Sequence, residues 1–254
     1  MSGPLRGAGV VITRPARQAA QLAKQIAAVG GTPLIFPTIA ILPPDDTRAL
    51  DDVHRRLAQF DYAIFVSANA AEFGVGNPAA WPAALPAFAP GPGTAAALAG
   101  AGIDDVRQPR TTMDSEGLLA LDEFAAPSGK RVVIFRGGAG RDLLADTLTA
   151  RGAHVTRVDC YRRARPQSGA EGLIEAWRER RIDAVTLTSS EGLDNLWEML
   201  DSYGRSELAA TPAFVSHPRI AQRAHALELA HVIVAEPTDA GLIASLLQYF
   251  DTDS

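Results

Sequence analysis

Residues 10–14 read VVITR and residues 132–136 read VVIFR, so two similar apolar runs lie 122 positions apart in the chain. The alignment continues without a gap into the following segments, where Leu22 meets Leu144 and Gly30 meets Gly152. Each copy predicts a buried β-strand, a loop and a helix, because a short β-branched run is followed by apolar residues at helical spacing. Self-similarity at so long a period indicates internal duplication.

Other segments repeat in the same order. They are residues 61–67 (DYAIFVS) with 183–189 (DAVTLTS) at the same spacing, Phe88 with Phe214 at a spacing of 126, and residues 117–120 (GLLA) with 241–244 (GLIA) at a spacing of 124. Apolar runs of strand length alternate with helical patterns in both copies, which is typical of a parallel sheet covered by helices. The sequence therefore predicts an α/β protein of two similar, doubly wound parallel-sheet lobes.

The second extended segment of each copy differs from a buried strand. Residues 33–39 contain two prolines, and residues 155–161 contain Arg157, where a central strand would carry apolar side chains. We expect these segments to connect the lobes. Residues 77–92 predict a surface loop and residues 165–172 a polar linker.

Composition excludes several classes of protein. The chain has 254 residues, 47% of them hydrophobic, which is enough for a large core. No apolar run approaches the roughly 20 residues of a membrane helix, and the first residues lack a secretory pattern, so we expect a cytoplasmic protein without membrane association. The single cysteine, Cys160, excludes a disulfide framework and a multi-cysteine metal cluster. No long apolar patch is readable, and a monomer is expected.

The formal net charge of −5 argues against a nucleic-acid binder, because such proteins neutralise phosphates with surplus basic residues. One stretch is locally basic and includes a single acidic residue, Asp159. Its arginines are Arg151, Arg157, Arg162, Arg163 and Arg165. This stretch is either a solvated face or a place where an anionic partner binds.

Candidate binding residues follow the predicted strands, since ligands of doubly wound sheets gather at the carboxyl ends of the strands. Arg14 and Arg136 end the first strand of each copy, and Gly137 and Gly138 follow Arg136. Glycines allow backbone amides to approach an anion closely. The turn at 136–141 is only a weak nucleotide signal, because a dinucleotide fingerprint would need a third glycine at Leu143. Arg14 also argues against a response regulator, which needs acidic residues there.

A second group of candidates stands where helices are predicted to begin. Its members are Ser67, Asn69 and Ala70 in the first copy, Ser189 and Ser190 in the matching segment of the second, and Thr94, whose counterpart is Ile220. Two interpretations stay open for the hydroxyl and amide side chains. They cap the helices, or they donate hydrogen bonds to a ligand.

Metal and nucleophile motifs are absent from the sequence. The histidines, which are His54, His154, His217, His225 and His231, show no HxxxH or HExxH spacing, and no nucleophile elbow occurs. We therefore expect no metal and no cofactor, and any chemistry must depend on holding a substrate in shape.

In their order and spacing these motifs resemble the uroporphyrinogen-III synthase family over nearly the whole chain. The resemblance is carried by VITRP at 11–15, FVSANA at 65–70, GPGTA at 91–95, RGG at 136–138, VDCYRR at 158–163 and TSSEGL at 188–193. It implies two α/β lobes with a cleft between them and an exchange of the first strand and helix. Lobe 1 would contain residues 1–35 and 167–254, lobe 2 residues 42–160, and the connectors residues 36–41 and 161–166.

The resemblance also implies an activity. Members of the family close hydroxymethylbilane, a linear tetrapyrrole with eight carboxylates, into uroporphyrinogen III, with loss of water and inversion of ring D through a spiro intermediate. Tyr161 matches the family's usual candidate for the proton donor. The substrate would be bound by Arg14, Ser67, Asn69, Ala70, Thr94, Arg136, Gly137, Gly138, Ser189 and Ser190.

Two residues depart from the family pattern, Ile220 in place of a threonine and Glu191 beside a site meant for carboxylates. Two other functions stay open at this point. One is a non-catalytic, two-lobed sensor that binds a small anion, and the other is a nucleotide-dependent transferase using residues 138–141.

Overall fold

A computed structural model describes residues 3–138 and 142–252. The chain divides into two compact units. Unit 1 contains Met1–Ala40 and Ala164–Ser254, and unit 2 contains Ile41–Arg163. None of the described helices has both the length and the apolar character needed to span a membrane.

The strands and helices alternate along most of the chain. In chain order the strands are β1 (Gly9–Ile12), β2 (Thr32–Ile35), β3 (Ala40–Leu42), β4 (Tyr62–Phe65), β5 (Ala87–Phe88), β6 (Val106–Arg107), β7 (Arg131–Gly137), β8 (His154–Ala164), β9 (Ala184–Leu187), β10 (Ala213–Val215) and β11 (Val232–Val234). The helices are α1 (Ala16–Ala28), α2 (Arg48–Arg55), α3 (Ala68–Gly74), α4 (Pro92–Gly100), α5 (Ser115–Leu119), α6 (Asp122–Ala125), α7 (Leu143–Ala150), α8 (Glu171–Arg178), α9 (Ser190–Met199), α10 (Ser202–Ala210), α11 (Pro218–Ala226) and α12 (Asp239–Thr252).

Unit 1 is built on a sheet in which the described strands lie in the order β11-β10-β9-β1-β2 with parallel pairing. Strand β1 lies between β9 and the edge strand β2 and is buried along its whole length. Val11 packs into the core on one face of the sheet, while Val10 and Ile12 pack into the core on the other. Both faces are thus covered, which explains why this strand reads as an unbroken apolar run.

Unit 2 is built on a sheet with the order β3-β8-β7-β4-β5-β6, in which β8, β7, β4, β5 and β6 pair in parallel. The core on one face contains Phe65 and Phe135, whose rings stack with centroids 4.5 Å apart. The core on the opposite face contains Ile64 and Ile134. The α/β fold with parallel strands, predicted from the repeat, is confirmed.

The two copies exchange their first strands. Strand β1 pairs with β9 of the second copy, and β7 pairs with β4 of the first. Asp61 and Asp183 each accept a hydrogen bond from the first backbone amide of an exchanged strand. Asp183 Oδ2 accepts a hydrogen bond from Gly9 N at 2.7 Å, and Asp61 Oδ2 accepts one from Arg131 N at 2.8 Å. The repeated aspartate therefore fastens the start of a strand that comes from the other copy.

Both segments expected to be connectors also contain sheet strands. Strand β2 lies at an edge of its sheet, where Pro33 costs no hydrogen bond on the open side. Strand β8 lies between β3 and β7 and pairs with β7 as far as Tyr161. The side chain of Arg157 is half exposed, so the strand has a charged face without burying the charge.

Candidate active site

Tyr161 stands near the end of β8, immediately after an irregularity in the β7–β8 pairing. Arg136 pairs with Asp159, but the next residue, Gly137, pairs with Tyr161, which leaves Cys160 as an extra residue in β8. The Cys160 thiol is 3.3 Å from the carbonyl oxygen of Arg136. Bulges of this kind redirect the side chains that follow them, and this one brings Tyr161 opposite Gly137.

Gly137 makes room for the Tyr161 ring. A methyl group at Gly137 would come within 2.6 Å of Tyr161 Cζ and 3.0 Å of its hydroxyl oxygen. Contacts this short do not occur between a real Cβ and a buried ring, so any side chain at Gly137 would move the tyrosine. Gly137, predicted as a substrate-binding residue, thus has a packing role as well.

Ser67 contacts the Tyr161 hydroxyl. Its Oγ is 3.3 Å from the Tyr161 oxygen and accepts a hydrogen bond from Ala70 N at 3.1 Å. The second contact is a helix cap, because Ser67 directly precedes α3. The Tyr161 ring also packs against Phe73. Only 6% of Tyr161 is exposed, and its hydroxyl group is held in a defined position.

Tyr161 lines a cavity of about 460 Å³ within unit 2. The lining residues are Val66, Asp114, Ser115, Glu116, Ile134, Arg136, Gly137, Leu143, Leu144, Ala145, Arg157 and Tyr161. The cavity thus combines a tyrosine, two arginines, the acidic residues Asp114 and Glu116, and apolar side chains. Such a wall can donate a proton and bind an acidic group beside an apolar ring system.

Arg136 is largely buried, with 14% of its side chain exposed, and it is paired with carboxylates. Its guanidinium donates to Asp142 Oδ1, and its Nε lies 3.7 Å from Asp159 Oδ1. Arg157 also lies 3.2 Å from Asp142 Oδ1. The hydrogen bond from Arg136, with smaller contributions from both positive charges, lowers the pKa of Asp142. Asp142 is therefore a carboxylate at neutral pH.

The structure does not bring every predicted residue of unit 2 to this cavity. Among the described residues, Asn69, Ala70, Thr94 and Gly138 are outside its lining. The Ala70 amide donates to Ser67 Oγ, which caps α3, and Thr94 is buried in the first turn of α4. The cavity brings together Tyr161, Arg136 and Gly137. Ser67 is not among its lining residues, but it contacts the hydroxyl of Tyr161, which is.

The predicted residues of unit 1 also have partners within the protein. Arg14 forms an ion pair with Asp239 at the start of α12. Ser189 caps α9 by accepting a hydrogen bond from Gly192 N at 2.9 Å. Capping therefore accounts for both Ser67 and Ser189. In the described part of the chain, the buried Ser190 Oγ has no hydrogen-bond partner.

Comparison with known proteins identifies the family. The family model described as uroporphyrinogen-III synthase HemD matches residues 20–244. A uroporphyrinogen-III synthase of Salmonella typhimurium is 33% identical over 245 residues, covering 94% of this chain and 99% of the relative. One of Escherichia coli is 32% identical with the same coverage. The chain belongs to the uroporphyrinogen-III synthase family.

Solved structures of uroporphyrinogen-III synthases share the fold. A mutant enzyme from Thermus thermophilus gives a TM-score of 0.53 at 19% identity, covering 98% of this chain and all of that one. The enzyme from Helicobacter pylori gives a TM-score of 0.60 at 12% identity, covering 95% and 99%. At these identities the likeness shows the fold alone. The family expected from the sequence motifs is confirmed by the matches above.

Membership in the uroporphyrinogen-III synthase family gives no support to a sensor function. The transferase hypothesis used the turn at 138–141, of which residues 139–141 lie outside the described residues. Ile220, which departs from the uroporphyrinogen-III synthase pattern, is buried in a core of unit 1, and Glu191 is exposed in the first turn of α9. Within residues 3–138 and 142–252, no group of three or more His, Cys, Asp or Glu side chains could hold a metal ion.

Sequence reasoning missed two charged residues beside the predicted site of this uroporphyrinogen-III synthase family member. Asp142 follows the glycine-rich turn, and Arg157 was noted only as a charge in an expected connector and as part of a basic stretch. The alternation along β8 could have indicated that Arg157 and Asp159 share a face, since they are two residues apart in a strand. Nothing in the sequence indicated their pairing with Asp142 and Arg136.

Proposed function

We propose that this protein cyclises hydroxymethylbilane to uroporphyrinogen III, with loss of water and inversion of ring D through a spiro intermediate. This is a cyclising hydro-lyase reaction of porphyrin and heme biosynthesis. One observation carries the proposal for this chain. Tyr161, whose hydroxyl contacts Ser67 Oγ, lines a cavity that is also lined by Arg136 and Arg157.

Tyr161 is proposed to protonate the leaving hydroxyl group. Hydroxide is a poor leaving group, and a proton delivered in the transition state allows it to depart as water. General acid catalysis of this kind contributes roughly 10²–10⁴ in rate. The contacts with Ser67 and Phe73 limit where the phenol can point, and Gly137 leaves room for its ring. A fixed donor is what such a step requires.

Positioning is proposed to select which ring closure follows. In water the activated bilane closes head to tail and gives the type I isomer, whereas type III requires attack at the substituted position of ring D. Fixing the reacting atoms can contribute roughly 7–11 kcal/mol. A preference of about 2.7 kcal/mol already favours one closure about a hundredfold. Shape complementarity alone can therefore set the product.

The substrate carboxylates are proposed to be bound by side chains and backbone amides at the strand ends. In unit 2 these are Arg136, Ser67, Asn69, Thr94 and the backbone of Ala70, Gly137 and Gly138, and in unit 1 they are Arg14, Ser189 and Ser190. Hydrogen bonds to a charged group contribute roughly 1.5–3 kcal/mol each. Because Arg14 and Arg136 have carboxylate partners, substrate must exchange with those partners or share the arginines.

The test uses purified protein, freshly prepared hydroxymethylbilane and no added cofactor, with chromatographic separation of the product isomers. Type III should predominate, and type I alone would contradict the enzymatic function. A non-catalytic sensor would bind the bilane and leave its spontaneous closure to type I unchanged. A transferase that needs a nucleotide would be stabilised by one, so its melting temperature would rise on nucleotide addition. The monomeric state and cytoplasmic location expected from the sequence remain proposals.

A further inference from the structure

Arg136 and Arg157 share a single carboxylate oxygen. Both guanidinium groups contact Asp142 Oδ1, Arg157 at 3.2 Å and Arg136 through a short hydrogen bond. The two arginines come from neighbouring strands, β7 and β8. Two guanidinium groups converging on one oxygen form a site of the kind that binds carboxylates in proteins.

The arginine pair lies beside the proposed proton donor. Arg136 and Arg157 line the cavity that contains Tyr161, and they also line a second cavity of about 470 Å³ that contains Asp142. Asp142 is part of the second cavity's lining and is not among the lining residues of the first. A carboxylate entering from the Tyr161 side could therefore meet both guanidinium groups.

The Asp142 side chain does not cap the helix that follows it. It directly precedes α7, yet its side chain makes no capping hydrogen bond there. Asp114 and Asp201, in the same position before α5 and α10, each accept a hydrogen bond from a helix amide at 2.8 Å. The Asp142 carboxylate instead contacts the arginines and is 47% exposed. Water and ions can therefore compete for the Asp142 carboxylate.

We propose that Arg136 and Arg157 form a binding site for one carboxylate of the acidic substrate, and that Asp142 occupies this site in the free protein and is displaced on binding. This inference rests on the proposed function for the identity of the substrate. The second cavity also carries Asp46 and Asp159, and the first carries Asp114 and Glu116. These acidic groups repel an anion, so the attraction for an anion in these two walls comes from the paired arginines.

The variant Asp142→Asn tests the displacement directly. It removes the competing charge and keeps the size of the side chain. Asp146→Asn is the matched control, because Asp146 lies one turn further along α7, is exposed and carries the same charge. Calorimetric titration with benzene-1,2,4,5-tetracarboxylate at low salt measures the site without any catalysis. Asp142→Asn should bind this probe about two- to five-fold more tightly than the wild type, and Asp146→Asn should match the wild type.

Unchanged or weaker probe binding by Asp142→Asn would overturn the inference. Arg157→Gln supplies a second, independent variant. It should weaken probe binding, and equal binding would also count against the site. With hydroxymethylbilane, Asp142→Asn should lower KM without raising kcat, because it removes a competitor of the ground state. If probe binding tightens while no variant forms uroporphyrinogen III, the carboxylate site stands and the proposed function fails.

Discussion

Gly137 and Tyr161 face each other across strands β7 and β8, and the tyrosine ring fills the space that a side chain at Gly137 would need. The extra residue Cys160 creates this pairing, and Ser67 contacts the tyrosine hydroxyl. The position of the phenol therefore depends on three local features: a bulge, a missing Cβ and a helix cap. Each can be altered separately.

Gly137→Ala should lower turnover at least tenfold, because the new methyl group would push the Tyr161 ring away from Ser67. Gly172→Ala is the control, since a Cβ there meets no atom within 4 Å. The control should keep full turnover and gain about 0.5–1 kcal/mol of stability, because alanine is the better helix former. Steady-state kinetics and urea unfolding measure both effects. Equal turnover of Gly137→Ala and wild type would show that the packing contact does not position the phenol.

Tyr161→Phe should reduce kcat about a hundredfold or more, because it removes the proposed proton donor and keeps the ring. The melting temperature should stay close to that of the wild type, since the packing against Phe73 remains. Tyr203→Phe, on the exposed surface of α10, is the matched control. If Tyr161→Phe folds and turns over at the wild-type rate, Tyr161 is not the donor.

Asp61→Asn should destabilise unit 2 at neutral pH by about 1 kcal/mol or less, because about a third of the carboxyl side chain is exposed. The hydrogen bond from Arg131 N, followed by that from Lys130, lowers the pKa of Asp61 in the folded protein. The contribution of the Asp61 carboxylate to the free energy of unfolding is therefore fully present above the unfolded pKa of about 3.9. It is lost as pH falls through the lower folded value.

The free energy of unfolding, measured from neutral to acidic pH, tests this pH dependence. The difference between wild type and Asp61→Asn should shrink as the pH drops below about 4. Asp146→Asn, exposed on α7, is the matched control for the loss of one surface carboxylate. A gap between wild type and Asp61→Asn that stays constant down to strongly acidic pH would mean that the carboxylate does not fasten the exchanged strand.

Cys160 should resist alkylation in the folded protein. Burial, as the largest effect, raises the pKa of its thiol from 9.0 to about 12, which lowers the thiolate fraction about a thousandfold. Mass spectrometry after iodoacetamide treatment should show labelling in denaturing urea and very little without it. Rapid labelling of the native protein would contradict the buried placement of the bulge.

The fold was largely predictable from the sequence, because its signals are local. The apolar runs at residues 10–14 and 132–136 and the helical spacing after them are visible in short windows. The exchange of strands was not visible in the repeat, since the pairings β1–β9 and β7–β4 join segments far apart in the chain. The aspartates that secure these pairings were noticed as a repeated pattern without a role.

The site was predictable only in part. Ser67 and Ser189 were correctly identified as standing where helices begin, and the structure shows that both are caps. Which side chains meet depends on one irregular position in β8, and no sequence pattern predicts that bulge. The pairing of Asp142 with Arg136 and Arg157 follows from this geometry, so it could not be read from spacing.

The most direct test of catalysis is the fraction of type III isomer formed as protein concentration is raised at a fixed concentration of hydroxymethylbilane. Spontaneous closure competes at every concentration, so the product should change from mostly type I to nearly all type III. At equal concentration, Tyr161→Phe should give a larger share of type I. A product that stays type I at every protein concentration would show that the protein does not direct ring closure.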